Sequence, residues 1–249
     1  MSSVKMSSIY LIAIFCASVP VTTSSAPGEV IQVHENFKGP FPWYLAKIEL
    51  SADGWEDAKL AGDEDGIFDL DPKTGFLRIL QPFDREKRTS YTVTVTGGQE
   101  TVTVNIEVVD ENDNAPIFSK RTFHGIVSRG SRAGVSFLHI VATDADDPAT
   151  ENADLRYKIV QVGDGLFQID PRTGAVSLTE EGVTYLSERD VRHFILLVQV
   201  TDLGGSPRGL SDSASLEIIA AENSWKAPSS VSIHENHKGD YPLIIAKCM

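Results

Sequence analysis

Apolar and polar side chains alternate with a period of two over long parts of this chain. Tyr91, Val93 and Val95 alternate with Thr92, Thr94 and Thr96; a Gly97-Gly98-Gln99 turn follows; then Val102, Val104, Ile106 and Val108 alternate with Thr101, Thr103, Asn105 and Glu107. This pattern predicts a hairpin with one buried face. Further on, Phe194 to Val200, a Gly204-Gly205 turn and Ser215 to Ile219 predict a second hairpin of the same kind. No helix of normal length is expected outside the N-terminal leader.

The pattern repeats. Phe68-Asp69-Leu70-Asp71-Pro72-Lys73-Thr74-Gly75 returns as Phe167-Gln168-Ile169-Asp170-Pro171-Arg172-Thr173-Gly174, a turn in which Pro fixes φ, Asp bonds back to the backbone and Gly takes positive φ. At twice that interval, Val33-His34-Glu35-Asn36 returns as Ile233-His234-Glu235-Asn236. The expected organisation is therefore a first repeat over 27–118, a second over 119–227 and the start of a third over 228–249. Repeats of this size built from short alternating strands predict an all-β fold: tandem Greek-key, immunoglobulin-like β-sandwiches.

The first 26 residues read differently. Lys5 precedes the apolar run Ile9 to Ala17, then Pro20 and a small-residue stretch near Ser24-Ser25-Ala26, the order of a cleaved secretory signal. The run is too short to span a bilayer, and no later stretch is long and apolar enough to be an anchor. The expected localisation is the secretory pathway: the extracellular face of the plasma membrane in a longer protein, secreted as written.

Charge and cysteine content narrow the function. The chain of 249 residues has a formal net charge of −13, with 35 acidic against 22 basic residues, which disfavours nucleic acid and anionic membranes as partners and suits cations. Cys16 leaves with the signal and Cys248 remains alone, so no internal disulfide is expected and bound metal is the natural staple.

A single stretch shows where that metal would sit. Asp110-Glu111-Asn112-Asp113-Asn114-Ala115-Pro116 packs oxygen donors onto nearly adjacent positions. Clustered carboxylates repel by about 4 kcal/mol per pair at about 4 Å and an effective dielectric near 20, so a cation is required. The six histidines lack a recognisable nucleophile beside them, there is no phosphate-cradling loop, and neither an enzyme nor a small-molecule substrate is expected.

With Glu35, Asp84-Arg85-Glu86, Asp144-Ala145-Asp146 and Asp202 in the same order and at repeat-like spacing, the linker at Asp110 to Phe118 resembles that of the cadherin repeat. The resemblance implies calcium, about three ions at the joint of repeats one and two. It makes Glu35, Asp84, Glu86, Asp113, Asp144, Asp146 and Asp202 carboxylate ligands, Asn112 a side-chain amide ligand, and Glu111, Asn114 and Asn152 carbonyl ligands. Calcium takes six to eight oxygens in loose geometry, which suits such a set.

The next joint departs from the family pattern. Arg129 stands where the early Glu should be, Ser187 and Arg189 occupy the Asp-x-Glu positions, and Ala221-Glu222-Asn223-Ser224-Trp225 replaces the second linker motif. No calcium is expected there. Together with the opening His34 to Lys47, this resembles the seven-repeat cadherins of the kidney-specific and liver-intestine types. The resemblance implies a calcium-dependent cell-cell adhesion ectodomain that binds the same or related cadherin ectodomains homophilically. No Trp lies near residues 26–30 to swap strands, and Trp43 and Trp55 are read as packing residues. The alternative is a soluble truncated cadherin that modulates adhesion.

Overall fold

The alternation of the sequence becomes an alternation of burial. The structure, a computed structural model, describes residues 30–50, 55, 57–160 and 165–222. The expected signal segment, the opening of the third repeat, Trp225, Cys16 and Cys248 lie outside the described residues. In β6 (Ser90–Gly97) and β7 (Glu100–Val109), Tyr91, Val93, Val95, Val102, Val104, Ile106 and Val108 are buried while Thr92, Thr96, Thr101, Thr103 and Glu107 face water. The two strands pair antiparallel from Ser90 opposite Glu107 to Gly97 opposite Glu100, as the hairpin pattern requires.

Two compact units are present. The first contains the described residues up to Ala115, together with the loops Asp144–Asp154 and Asp202–Leu210. Its strands β1 (Val30–His34), β2 (Trp43–Lys47), β3 (Lys59–Ala61), β4 (Phe68–Asp71), β5 (Phe76–Ile79), β6 and β7 form two sheets, ordered β1-β7-β6-β3 and β2-β5-β4. β1 runs parallel to β7, and the other pairings are antiparallel. Phe68, Phe83 and Tyr91 meet at the centre of its core with ring centroids 5.0–5.9 Å apart. Truncating such a ring to Ala costs about 3–5 kcal/mol. Trp43 and Trp55 pack partly buried against the same core, as the sequence suggested.

The second unit repeats the plan. It holds β8 (Ile117–Phe118), β9 (Thr122–Ser128), β10 (Ser136–His139), β11 (Ala142–Thr143), β12 (Arg156–Ile159), β13 (Phe167–Ile169), β14 (Ala175–Leu178), β15 (His193–Thr201) and β16 (Ser211–Ala221). Its main sheets are ordered β9-β16-β15-β12 and β10-β14-β13, with β9 parallel to β16; β8 and β11 form a further pair. Each strand of the two main sheets has a counterpart in the first unit. The all-β sandwich fold is thus present twice.

The repeated Asp-Pro-x-Thr-Gly turns have one geometry. Gly75 and Gly174 adopt φ of +74° and +70°. Each donates its N–H to the turn's Asp carbonyl, at 2.8 and 3.0 Å, and each carbonyl accepts from a strand-end N–H, Ile48 or Ile140. A Cβ at either glycine would meet that partner's carbonyl oxygen, at 2.8 Å from Ile48 and 2.3 Å from Ile140. The glycine is needed both for its φ and for the close approach.

One expectation fails. Glu180–Glu188 forms an α-helix, α1, between β14 and β15, where no helix was expected. Its hydrophobic signal is small, because only Gly182 and Leu186 are buried. Its start is nonetheless encoded: Thr179 accepts the Gly182 N–H at 3.0 Å, and Glu180 and Glu181 occupy the first turn, where carboxylates favour the helix dipole.

Candidate metal centre

Five backbone segments of the first unit converge on one acidic cluster. Immediately after β1, Glu35 is buried, and its two oxygens accept the backbone N–H groups of Arg85 at 2.8 Å and Glu111 at 3.0 Å. One carboxylate thus fixes the Asp84-Arg85-Glu86 turn and the start of the acidic linker. Asn36 follows in the left-handed region at φ 59°, which Asn tolerates, and donates its side-chain amide to Asp113 at 2.6 Å.

The loops of Asp144–Asp154 and Asp202–Leu210 supply the other side. Asn114 donates to Asp146 Oδ1 from its side chain at 2.9 Å and from its backbone at 3.3 Å. Asn112 turns its side-chain amide oxygen toward Asp146 and Asp202, 3.0 Å from an oxygen of each, and only the reversed amide, nitrogen inward, would donate to them. Asp144 accepts the Asp146 N–H at 3.1 Å.

Three triads of carboxylate oxygens result, each within 4.8 Å: Glu35, Glu86 and Asp113; Glu86, Asp110 and Asp146; and Asp144, Asp146 and Asp202. Glu86 belongs to the first two and Asp146 to the last two, so the triads form a connected row.

The electrostatics of the row are unfavourable without a cation. Burial raises the pKa of Asp146 from 3.8 to about 6, with the charges of Asp144 and Asp110 adding to the effect. Glu86 is pushed up by burial and then by Glu35 and Asp113, whereas Asp144 and Asp202 are pushed up chiefly by burial. Asp144 Oδ2 and Asp202 Oδ1 are buried with no hydrogen-bond partner. A buried carboxylate oxygen left unpaired is costly, and an all-oxygen set of carboxylates and amides suits calcium rather than zinc. The residues present therefore fit a hard divalent cation.

Asp110 was part of the acidic stretch but not of the expected ligand set. It completes the middle triad while also pairing with the guanidinium of Arg85 and accepting from Asn152 at 2.7 Å and from the Asp147 backbone at 3.1 Å. Burial acts to raise its pKa, but Arg85 and Asn152 outweigh that and hold it low. A sequence signal for this role existed in the adjacent Arg of Asp84-Arg85-Glu86, a cation beside a ligand turn that needs its own carboxylate.

Asp84, Asn152 and Glu111 have partners of their own. Asp84 is outside the triads and pairs with Lys87 at 2.7 Å, and this partner holds its pKa low. Asn152 uses its side chain on Asp110. Glu111 contributes its N–H to Glu35, and its carbonyl accepts from Asp113 at 2.9 Å.

At the equivalent positions of the second unit an ion-pair chain stands in place of a ligand set. Arg129 reaches Asp190 at 2.6 Å, Arg192 contacts the same oxygen at 3.2 Å, and Arg192 also reaches Glu222 at 3.4 Å. Ser187 is turned into α1, donating to the Thr184 carbonyl at 2.7 Å.

Comparison with known proteins agrees with this geometry. Residues 123–219 match the cadherin domain. The chain is 36% identical to human cadherin-16 over 94% of its own length and 40% identical to mouse cadherin-17 over 76%, both of the seven-repeat kidney and liver-intestine type. It spans 30% and 24% of those two proteins. Chicken VE-cadherin EC1-2 superposes with a TM-score of 0.63 at 26% identity, over 77% of this chain and 97% of that one. A twice-repeated sandwich, an acidic row at the expected linker and relatives of this similarity together establish that the chain belongs to the cadherin family.

Proposed function

We propose that this chain is part of a calcium-dependent cell-cell adhesion ectodomain, with calcium held at the joint of its first two repeats, 27–118 and 119–227. The observation that carries the reading is the row of three carboxylate triads containing two buried, partnerless oxygens. Three triads suit about three ions. Glu35, Glu86, Asp110, Asp113, Asp144, Asp146 and Asp202 would hold them, with Asn112 adding its inward-facing amide oxygen and Asp84 joining once released from Lys87. Bound calcium supplies the positive charge that lets all these carboxylates ionise together. Glu35 and Arg85 hold the row's geometry on one side and Asn114 on the other, so loops on either side of the linker lose their freedom to move apart.

The joint after the second repeat carries the Arg129–Asp190–Arg192–Glu222 chain instead, and we assign it no calcium. The partner is the same or a related cadherin ectodomain, bound without exchange of an N-terminal Trp. Beads coated with the full chain should cluster in millimolar calcium and disperse in chelator. Clustering that is indifferent to calcium would count against this reading.

A further inference from the structure

The outer face of the second unit's β9-β16-β15-β12 sheet differs from the same face of the first unit. In the first unit, Val30 and the small Ala61 apart, the exposed outward positions are polar, among them Gln32, Lys59, Thr92, Thr96, Thr101, Thr103 and Glu107. In the second, Ile126 is 66% exposed, Ile195 57%, Ile219 51%, Leu197 43% and Val160 39%. These residues are contiguous. Ile126 stands opposite Ile219 across β9 and β16; Ile219 stands opposite His193, two residues before Ile195; Leu197 follows on β15, and its carbonyl accepts the Val160 N–H at 2.9 Å. Scattered exposed aliphatics need no explanation, but a row running across β9, β16 and β15 to the residue after β12 does.

Charge indicates the occupant. Among the outward positions of these four strands the formal charges are Glu217, Arg156 and Lys158, a net of +1 on a chain whose total is −13. Glu217 lies in the middle of the face with His124 at 3.5 Å and His193 at 3.9 Å, so its acid is already flanked. Two copies of so acidic a chain repel over most of their surface. Here each copy brings one carboxylate, Glu217, with His124 and His193 of its own chain beside it, and the apolar rows can meet around it.

We propose that this face is a contact surface for the same face of a second copy of the chain, a proposal that rests on the homophilic reading above and names its surface. Four strands about 4.8 Å apart and about eight residues long at about 3.3 Å per residue give roughly 500 Å² per copy. Two such faces bury about 1,000 Å², the lower limit for a specific interface, so the contact is weak, with a Kd in the micromolar range or above.

The test is sedimentation velocity of the full chain at saturating calcium, up to about 300 µM, a range chosen to detect so weak a contact. It compares the wild type, the combined variant Ile126→Thr, Ile195→Thr, Leu197→Thr and Ile219→Thr, and separately Lys158→Glu. Threonine keeps strand propensity and copies the outer face of the first unit; Lys158→Glu alters one exposed charge and leaves the core intact. The wild type should dimerise, the combined variant should associate at least about tenfold more weakly, and Lys158→Glu should weaken it several-fold by adding a second carboxylate, besides Glu217, to each face of an already acidic chain. Dimers equally strong in both variants would overturn this surface while leaving homophilic binding standing. A monomeric wild type would overturn both. A monomeric wild type whose variants lose clustering with unlike ectodomains would give the face to a different partner, and the self-contact would be wrong.

Discussion

Asn114 donates two hydrogen bonds to one oxygen of Asp146, from its side chain at 2.9 Å and from its backbone at 3.3 Å, and so ties the acidic linker to the Asp144-Ala145-Asp146 loop. Even with these bonds, burial and the neighbouring carboxylates raise Asp146 to about 6. The pair is a geometric clamp that still lacks enough positive charge.

The first consequence is a reversal of pH dependence. The folded, metal-free protein keeps a proton on Asp146 up to about pH 6, while the unfolded chain releases it near 3.8. Between those values the folded state binds more protons, so metal-free stability falls as pH rises, and the raised pKa values of Glu86, Asp144 and Asp202 act in the same direction. With calcium the ionised row is the stable form, and stability should rise over the same range. Thermal melts in chelator and in calcium across this window check it; parallel trends in both would contradict it.

Asp202→Asn should change sign with the metal. In chelator it removes a buried charge that has no partner on Oδ1 and should leave stability unchanged or higher, by up to about 1–3 kcal/mol. In calcium it removes a ligand and should weaken affinity about tenfold or more, equivalent to about 1.4 kcal/mol or more. Paired melts and calorimetric calcium titrations of the variant read both effects. Destabilisation in chelator as large as in calcium would show that Asp202 is purely structural.

Arg85→Ala should behave otherwise. It leaves Asp110, whose side chain is 4% exposed, without its cation and should cost about 3–5 kcal/mol in chelator and less in calcium, where a bound ion takes over part of that role. Denaturant unfolding under both conditions tests this, and a loss confined to calcium would make Arg85 an organiser of the metal site alone.

Much of the fold was legible in the chain. The hairpins, both sandwiches and the repeated turns follow from period-two alternation and from Asp-Pro-x-Thr-Gly, because strand burial and positive φ leave direct marks on residue choice. α1 was not legible by periodicity, since its buried side is only Gly182 and Leu186; the cap at Thr179 was the signal. In the candidate site, most of the carboxylates that the structure brings together could be named from motifs, but which partner each one takes could not. Whether Asp84 faces the row or Lys87, and whether Asp110 serves Arg85 as well as a triad, depends on competing partners at similar distances.

Lys87→Ala tests one such competition. Lys87 is largely exposed and its pair with Asp84 is worth about 0.2–1 kcal/mol, so releasing Asp84 should tighten calcium binding by no more than about fivefold. A calcium titration of the variant reads this directly; weaker binding would mean that Lys87 supports the site.

Counting bound calcium bears most directly on the whole proposal. Native mass spectrometry or equilibrium dialysis of the full chain should find about three ions, with occupancy lost on Asp146→Asn, which belongs to two of the three triads, and retained on Arg129→Ala. No bound calcium at millimolar concentration, or a full complement retained by the Asp146 variant, would contradict it.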